Sequence, residues 1–288
     1  MVSLQDSSGN LIQVTLEQWR NSILPATLRQ HSGDPAQLSA VIAAAFQMGL
    51  FKEVLESARH LATTDPDPAR GACLYALALM NTGRNDDAEG VLRSCLTQHG
   101  SDAALLTNLA KIQKSRGDEA RSSATLWQAI EADPNYENAM VWWAALAHDQ
   151  GGKSAQLEAW QRIAALPGSW RAQLQIARVA LEARDFPKAL DIYQDVMAHV
   201  PEPVPSDLLM QLTGDLGAHG EAAQAIELAE PLYSVDAHSP MVGNNLMKAH
   251  FELRDYDRAR SILNQIRLKS IPGSKQIVDY WDGQLRNH

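Results

Sequence analysis

The sequence lacks the features that identify several large classes of protein. Only 2 of its 288 residues are cysteine, and neither belongs to a CxxC pair. It also has no run of about 18 apolar residues, the length a bilayer-spanning helix needs. Its first residues, MVSLQDSSGNLIQV, contain neither a basic stretch nor a continuous apolar block, so no secretory signal is predicted. These absences favour a reducing, cytoplasmic setting without disulfides or membrane insertion.

Positive charge is also in short supply. The chain has 25 Lys and Arg against 34 Asp and Glu, which gives a formal net charge of −9. Phosphate-rich surfaces are bound by clusters of Lys and Arg, so neither a nucleic acid nor an anionic membrane is an expected partner. No GxSxG, HExxH or kinase-like motif occurs. We therefore predict no catalytic residues, no metal and no cofactor.

One short motif imitates a phosphate-binding loop. The residues GGKS at 151–154 match the end of such a loop, but the glycine that the loop needs five residues before Gly152 is replaced by Ala147. The motif also follows a helical pattern, whereas a phosphate loop follows a strand. We interpret GGKS as a turn between helices.

What the sequence does contain is a repeat. Turn-forming residues recur at a spacing of about 34 residues, at Gly49, Gly83, Gly117, Gly151, Asp185, Gly220 and Asp255. An apolar-periodic stretch precedes each of these residues, an amphipathic stretch follows, and several units end at a proline such as Pro134 or Pro201. Glycine accepts the left-handed backbone of a sharp reversal, and proline stops a helix. The pattern therefore predicts helical hairpins, each with an apolar flank that only a neighbouring hairpin can cover.

This pattern resembles the tetratricopeptide repeat, a helix-turn-helix unit. The clearest match is residues 103–136, where the signature positions are occupied by Leu106, Leu109, Ala110, Gly117, Leu126, Ala129 and Pro134. The resemblance implies an all-α fold, a right-handed α-solenoid of about seven such repeats with terminal capping helices. We assign residues 1–34 to an N-terminal capping segment, 35–273 to the superhelical array and 274–288 to a C-terminal capping helix.

The two caps have signatures of their own. Residues 15–18, TLEQ, form a capping box that opens a short helix, interrupted at Pro25. This helix is predicted to turn Leu16, Trp19 and Ile23 toward the first repeat. The preceding VSLQDSSGNLIQV is compatible with a small hairpin around SSGN. The last helix is predicted to place Ile277, Tyr280, Trp281 and Leu285 on one side.

Two residues depart from the regular pattern. Pro231 falls inside a predicted second helix, which it should bend or shorten. Trp127 occupies a second-helix position that is usually polar in the resembled family, so it either covers a neighbouring unit or marks an outer contact.

The resemblance also implies a binding surface, because partners of this family usually contact the first helices along a concave groove. The residues at the corresponding positions are Asn108, Lys111, Trp142, His148, Arg171, Gln175, Arg178, Gln211, Asn244, Asn245 and Lys248. Carboxamides can hold an extended main chain, Lys and Arg bind carboxylates, and a tryptophan supplies an apolar surface. Acidic residues near the same face, Glu182, Asp207 and Glu252, weaken the preference for an acidic partner.

The predicted function is a non-catalytic protein-protein interaction scaffold or adaptor that holds a peptide or partner segment, with an acidic segment or a free carboxyl terminus favoured. The alternative is a homo-oligomeric structural element that assembles through repeat edges or through its apolar first units. A third class, an enzyme or the regulatory subunit of an enzyme, would require perturbed titratable groups converging in one cavity.

Overall fold

A computed structural model describes residues 2–5, 11–269, 271, 273–286 and 288, with side chains from residue 13 onward. The chain divides into two compact units, residues 1–143 and 144–288. Apart from one short hairpin, the regular structure of the described residues is helical. The predicted all-α class is therefore confirmed.

The first unit opens with an antiparallel hairpin in which β1 (Val2–Gln5) pairs with β2 (Leu11–Val14), Val2 lying opposite Val14. This pairing confirms the predicted hairpin, whose SSGN turn lies outside the described residues. The helices that follow are α1 (Leu16–Gln18), a π-helical turn (Trp19–Ile23), α2 (Leu24–Gln30), α3 (Pro35–Gln47), α4 (Leu55–Thr64), α5 (Pro68–Asn81), α6 (Asn85–His99), α7 (Ala103–Ser115) and α8 (Glu119–Ala132).

Helix α9 (Glu137–Ala164) contains the boundary between the units and is broken at Gly151 and Gly152, which have φ of −145° and 68°. The GGKS motif is thus a turn between helical segments, as predicted. The second unit continues with α10 (Arg171–Glu182), α11 (Phe186–His199), α12 (Ser206–Ala218), α13 (Ala222–Ala229), a 3-10 turn (Glu230–Leu232), α14 (Pro240–Glu252), α15 (Tyr256–Lys269) and α16 (Lys275–Leu285).

Consecutive helices form hairpins, and the first helix of one hairpin contacts the first helix of the next. In the first unit α7 packs on α8 and also on α5, and in the second unit α12 packs on α13 and also on α10 and α14. The second helices contribute a row of fully buried small residues, Ala58, Ala88, Ala129, Ala189, Ala225 and Ala259. Small side chains allow the two helices of a hairpin to approach closely, and leucines and isoleucines fill the remaining space.

The sharp turn inside most hairpins depends on one residue with left-handed backbone. That residue is a glycine at positions 49, 83, 117 and 220, with φ between 72° and 82°. Where the chain has no glycine, Arg184 and Arg254 adopt the same conformation, with φ of 59° and 62°. The sequence pattern predicted that Asp185 and Asp255 are the turn residues, which is wrong by one residue. Each aspartate instead caps the next helix, accepting the main-chain N–H of Lys188 or Arg258.

Replacing Arg254 by glycine should raise the free energy of unfolding, because a left-handed backbone costs a residue with a Cβ about 1 kcal/mol. The side chain of Arg254 is exposed, so little packing is lost. Urea unfolding followed by circular dichroism would measure the gain. The reverse change, Gly220→Ala, should destabilise by a similar amount, and a loss of stability in Arg254→Gly would contradict the explanation.

The N-terminal cap is partly as expected. Gln18 N–H donates to Thr15 Oγ1 over 3.1 Å and Thr15 N–H donates to Gln18 Oε1 over 3.0 Å, which confirms the capping box. The predicted interruption at Pro25 is wrong, because the preceding π-helical turn lets the helix continue through the proline to Gln30. Trp19 is buried, whereas Leu16 is exposed and does not pack inward.

The C-terminal helix α16 is held by Trp281, whose side chain is 3% exposed. Its Nε1–H donates to Asn244 Oδ1 over 2.9 Å, and its ring lies 5.6 Å from that of Phe251. Leu285, one turn later, is also buried. Tyr280 is 57% exposed, so its predicted place on the packed side is wrong. The buried seam passes through positions 281 and 285, and residue 280 is rotated away from it.

The two irregular residues are also explained. Helix α13 ends at Ala229 and gives way to the 3-10 turn that contains Pro231, which confirms that the proline shortens the helix. Trp127 packs against Trp143 with ring centroids 5.1 Å apart, while its Nε1–H donates to Glu131 Oε1 over 2.7 Å. Trp127 thus covers the neighbouring hairpin.

Candidate functional site

The predicted site residues lie on the first helices of the hairpins. In the first unit they are Asn108 and Lys111 on α7 and Trp142 on α9. In the second unit they are His148 on α9, Arg171, Gln175 and Arg178 on α10, Gln211 on α12, and Asn244, Asn245 and Lys248 on α14. Their surroundings differ between the two units.

In the second unit the two arginines form ion pairs with aspartates of the same unit. Arg171 forms an ion pair with Asp207, and Arg178 Nη2 lies 3.0 Å from Asp215 Oδ1. Both acceptors are on α12, so each pair joins one first helix to the next. Tyr193 Oη–H also donates to Asp215, over 3.4 Å. Burial, reinforced by the nearby Asp215 carboxylate, raises the pKa of Tyr193 well above its usual range, so this hydroxyl stays neutral.

The two asparagines of α14 also bond to other helices of the second unit. Asn245 Nδ2–H donates to Thr213 Oγ1 over 3.0 Å and to the Met210 carbonyl over 3.3 Å, which ties α14 to α12. Asn244 accepts the indole N–H of Trp281. These two carboxamides thus bond to neighbouring helices of the second unit.

The remaining predicted residues of this unit form fewer hydrogen bonds and ion pairs within the part of the chain that the structure describes. Gln175 and Gln211 are half-buried, and Gln211 Nε2 has no hydrogen-bond partner within the part of the chain that the structure describes. His148 is exposed. Lys248 is also exposed and has only a long contact, 3.9 Å, with Glu252 Oε1. Little unpaired positive charge therefore remains on the first helices of the second unit.

In the first unit Asn108 lies inside the protein, with 5% of its surface exposed. Its Nδ2 donates to the Ala104 carbonyl over 3.0 Å and contacts Cys73 Sγ at 3.7 Å. A short side chain that bonds back to the preceding helical turn stays close to the helix, so Asn108 does not extend to the surface. Burial also raises the pKa of Cys73 to about 12, which keeps that thiol neutral.

Beyond Asn108, the same face of α7 carries two exposed lysines, Lys111 and Lys114, which are neighbours because they lie three residues apart. Lys114 Nζ lies 5.5 Å from the centre of the half-buried Trp142 ring, at the distance of a cation–π contact. Within the described residues neither lysine forms an ion pair. We call Lys111, Lys114 and Trp142 the lysine–tryptophan patch. Sequence reasoning missed Lys114, although its spacing from Lys111 was visible.

Among the residues that the structure describes, no group of three or more His, Cys, Asp or Glu side chains is arranged to hold a metal ion. None of the helices described is both long and apolar enough to cross a membrane.

Comparisons with known proteins identify the repeat. The family model of the tetratricopeptide repeat matches residues 74–112, from α5 to α7. No curated protein matches the chain. Among solved structures, yeast Tom70 is similar with a TM-score of 0.51 and 13% identity, over 92% of this chain and 58% of Tom70. A tetratricopeptide repeat protein from Parabacteroides merdae has a TM-score of 0.40 and 14% identity, over 89% and 99% of the two chains.

These identities are too low to transfer a function, but the likeness to Tom70 extends over most of the chain. The matched unit lies within the same series of hairpins whose turns and buried alanines are described above. Residues 74–112 thus match the tetratricopeptide repeat, and the chain as a whole is similar in fold to Tom70.

Proposed function

We propose that this protein is a non-catalytic adaptor that binds a segment of a partner protein at the lysine–tryptophan patch of its first unit. The observation that supports this proposal most strongly is the pair of unpaired, exposed lysines beside an aromatic ring. Stacked repeats of this fold generally mediate protein-protein interaction through such surfaces. Tryptophan is also one of the residue types enriched among those that dominate binding energy.

The chemistry of the patch favours a partner segment with carboxylates next to an apolar residue. Each lysine can donate a charge-assisted hydrogen bond worth about 1.5–3 kcal/mol where water is excluded. The face of Trp142 can cover an apolar side chain at the same time. In the second unit, by contrast, Asp207 and Asp215 already neutralise the arginines that the sequence placed in the groove. The first unit is therefore the better place for an acidic segment.

Affinity capture from the native cell followed by mass spectrometry tests the proposal. Partners held by the wild-type protein should be lost from Lys111→Glu/Lys114→Glu, because the change reverses two charges at the patch. The matched control is Lys52→Glu/Arg121→Glu, which reverses two exposed charges elsewhere in the same unit. This control should retain the partners.

Circular dichroism and thermal melting should show that both variants fold like the wild type. If the patch variant captures the same partners as the wild type, the patch is not the binding site. If both variants lose them equally, only the net charge of the protein matters. Either result would contradict the proposal.

A further inference from the structure

The second unit has two adjoining clefts formed by the C-terminal part of α9 with α10 and α11. The larger, about 490 Å³, is lined by Ala164, Ile176, Asp191 and Ile192 among others. The smaller, about 200 Å³, is lined by Ser169, Trp170 and His199 among others. Gln173 and Asp195 line both clefts, so the two lie side by side, and we call them together the depression.

This depression is acidic. Asp191 and Asp195 are exposed and lie one helical turn apart on α11. Asp195 Oδ1 lies 3.5 Å from Nδ1 of the exposed His199, and Asp191 has no ion pair within the described residues. No lysine or arginine lines either cleft among the residues that the structure describes. By contrast, Asp207 and Asp215 on α12 are each paired with an arginine.

The smaller cleft also contains a polar group with an unmet hydrogen-bonding requirement. Ser169 is 5% exposed, and its hydroxyl has no hydrogen-bond partner in the described structure. Buried hydroxyls are almost always bonded, because burial without a partner costs free energy. The Ser169 carbonyl accepts a hydrogen bond from Gln173 Nε2–H at 3.0 Å, so the hydroxyl is the side-chain group left without a partner.

The larger cleft adds an apolar floor. Ile176 of α10 and Ile192 of α11 are both half-buried, as is Ala164 of α9. Half-exposed aliphatic side chains beside the carboxylates of Asp191 and Asp195 make a surface that is partly apolar and partly acidic. Such a surface fits a chain that carries aliphatic and cationic residues on the same side.

We propose that this depression binds a basic, amphipathic segment of a second partner protein. Lysine or arginine side chains of that segment pair with Asp191 and Asp195, its aliphatic side chains cover Ile176 and Ile192, and one polar side chain enters the smaller cleft and bonds to the Ser169 hydroxyl. A volume of about 200 Å³ is below the range of about 300–1,000 Å³ typical of small-molecule sites, which favours a single side chain as its occupant. The negative charge excludes nucleic acids and anionic membranes.

A defined probe tests this inference independently of the lysine–tryptophan patch. The probe is a fluorescent, acetylated and amidated peptide of lysine and leucine, about 14 residues long, with leucines at helical spacing. Its binding, measured by anisotropy, should weaken about tenfold or more in Asp191→Asn/Asp195→Asn, because two charge-assisted contacts are lost. The matched control, Glu227→Gln/Asp279→Asn, removes two exposed acids elsewhere in the unit and should bind normally. Lys111→Glu/Lys114→Glu should bind the probe at least as well as the wild type.

Hydrogen-exchange mass spectrometry with the same probe should show new protection within residues 161–200. Protection there, together with the selective loss in the Asp191/Asp195 variant, supports the proposal. Equal weakening in both acid-neutralised variants would mean that the probe responds only to net charge, and protection confined to other segments would place it elsewhere. Absence of binding by the wild type, or binding of a peptide with glutamate in place of lysine, would also overturn the proposal.

Discussion

Replacing Trp281 by alanine is expected to destabilise the C-terminal hairpin by about 3–5 kcal/mol, the usual cost of removing a buried tryptophan. The change empties the space between α14 and α16, removes the ring contact with Phe251, and leaves Asn244 without its indole donor. Because each hairpin of a stacked array is supported only by its neighbours, loss at one end should spread inward. Hydrogen exchange of residues 256–285 should rise first, followed by a lower urea midpoint.

The adjacent Tyr280→Ala is the control for this experiment. Tyr280 belongs to the same helix but is largely exposed and touches Trp281 only edge to face, with ring centroids 5.3 Å apart, so its removal should cost about 0.5–1.5 kcal/mol, less than the loss of Trp281. Similar effects of the two substitutions would mean that α16 is not held through Trp281.

The second large effect is expected at Gly71, where α5 passes close to α4. A Cβ added at this position would lie 2.9 Å from the Leu61 carbonyl oxygen and 3.0 Å from Ala62 Cα. Both neighbours are backbone atoms and cannot rotate away, so Gly71→Ala should force α4 and α5 apart. We expect a loss of about 1–3 kcal/mol, the range for overpacked interiors, measured by urea unfolding.

Gly90→Ala provides the opposite control on the next helix. A Cβ at Gly90 would meet no atom within 4 Å, and alanine is favoured over glycine inside a helix by about 0.5–1 kcal/mol. The first substitution should therefore destabilise and the second should stabilise. If both were stabilising, the close approach of α4 and α5 at Gly71 would be disproved.

The hairpins could be predicted from the sequence because they depend on residues that are close together in the chain. Apolar spacing, capping residues and turn glycines all act within one or two helical turns. The error at Asp185 and Asp255 has the same local origin. Gly117 is followed by Asp118, so one hairpin shows both the turn residue and the cap. In hairpins without glycine the aspartate was assigned to the turn, whereas the arginine before it makes the reversal.

The candidate site was less predictable. Periodicity places Arg171, Arg178 and Asn245 on the first helices, and the structure has them there. Whether such a side chain is free depends on a residue one repeat away, since Asp207 and Asp215 lie 36 and 37 positions after their arginines. Local patterns do not reveal that pairing. The unbonded hydroxyl of Ser169 likewise depends on which atoms fail to approach it, and no sequence pattern records this.

The polar bonds that join α10, α12 and α14 have a consequence for how this chain can evolve. Arrays of this kind commonly lengthen or shorten by tandem duplication or deletion of whole repeats. Such changes require that any repeat can pack against any other. Here Arg178 bonds to Asp215 of the following repeat, and Asn245 bonds to Thr213 of the preceding repeat. Removing the repeat that contains α12 would leave Arg178 without its carboxylate and Asn245 without its hydroxyl partner, facing each other across the new junction. The second half of this protein should therefore keep its number and order of repeats, even while its exposed residues diverge.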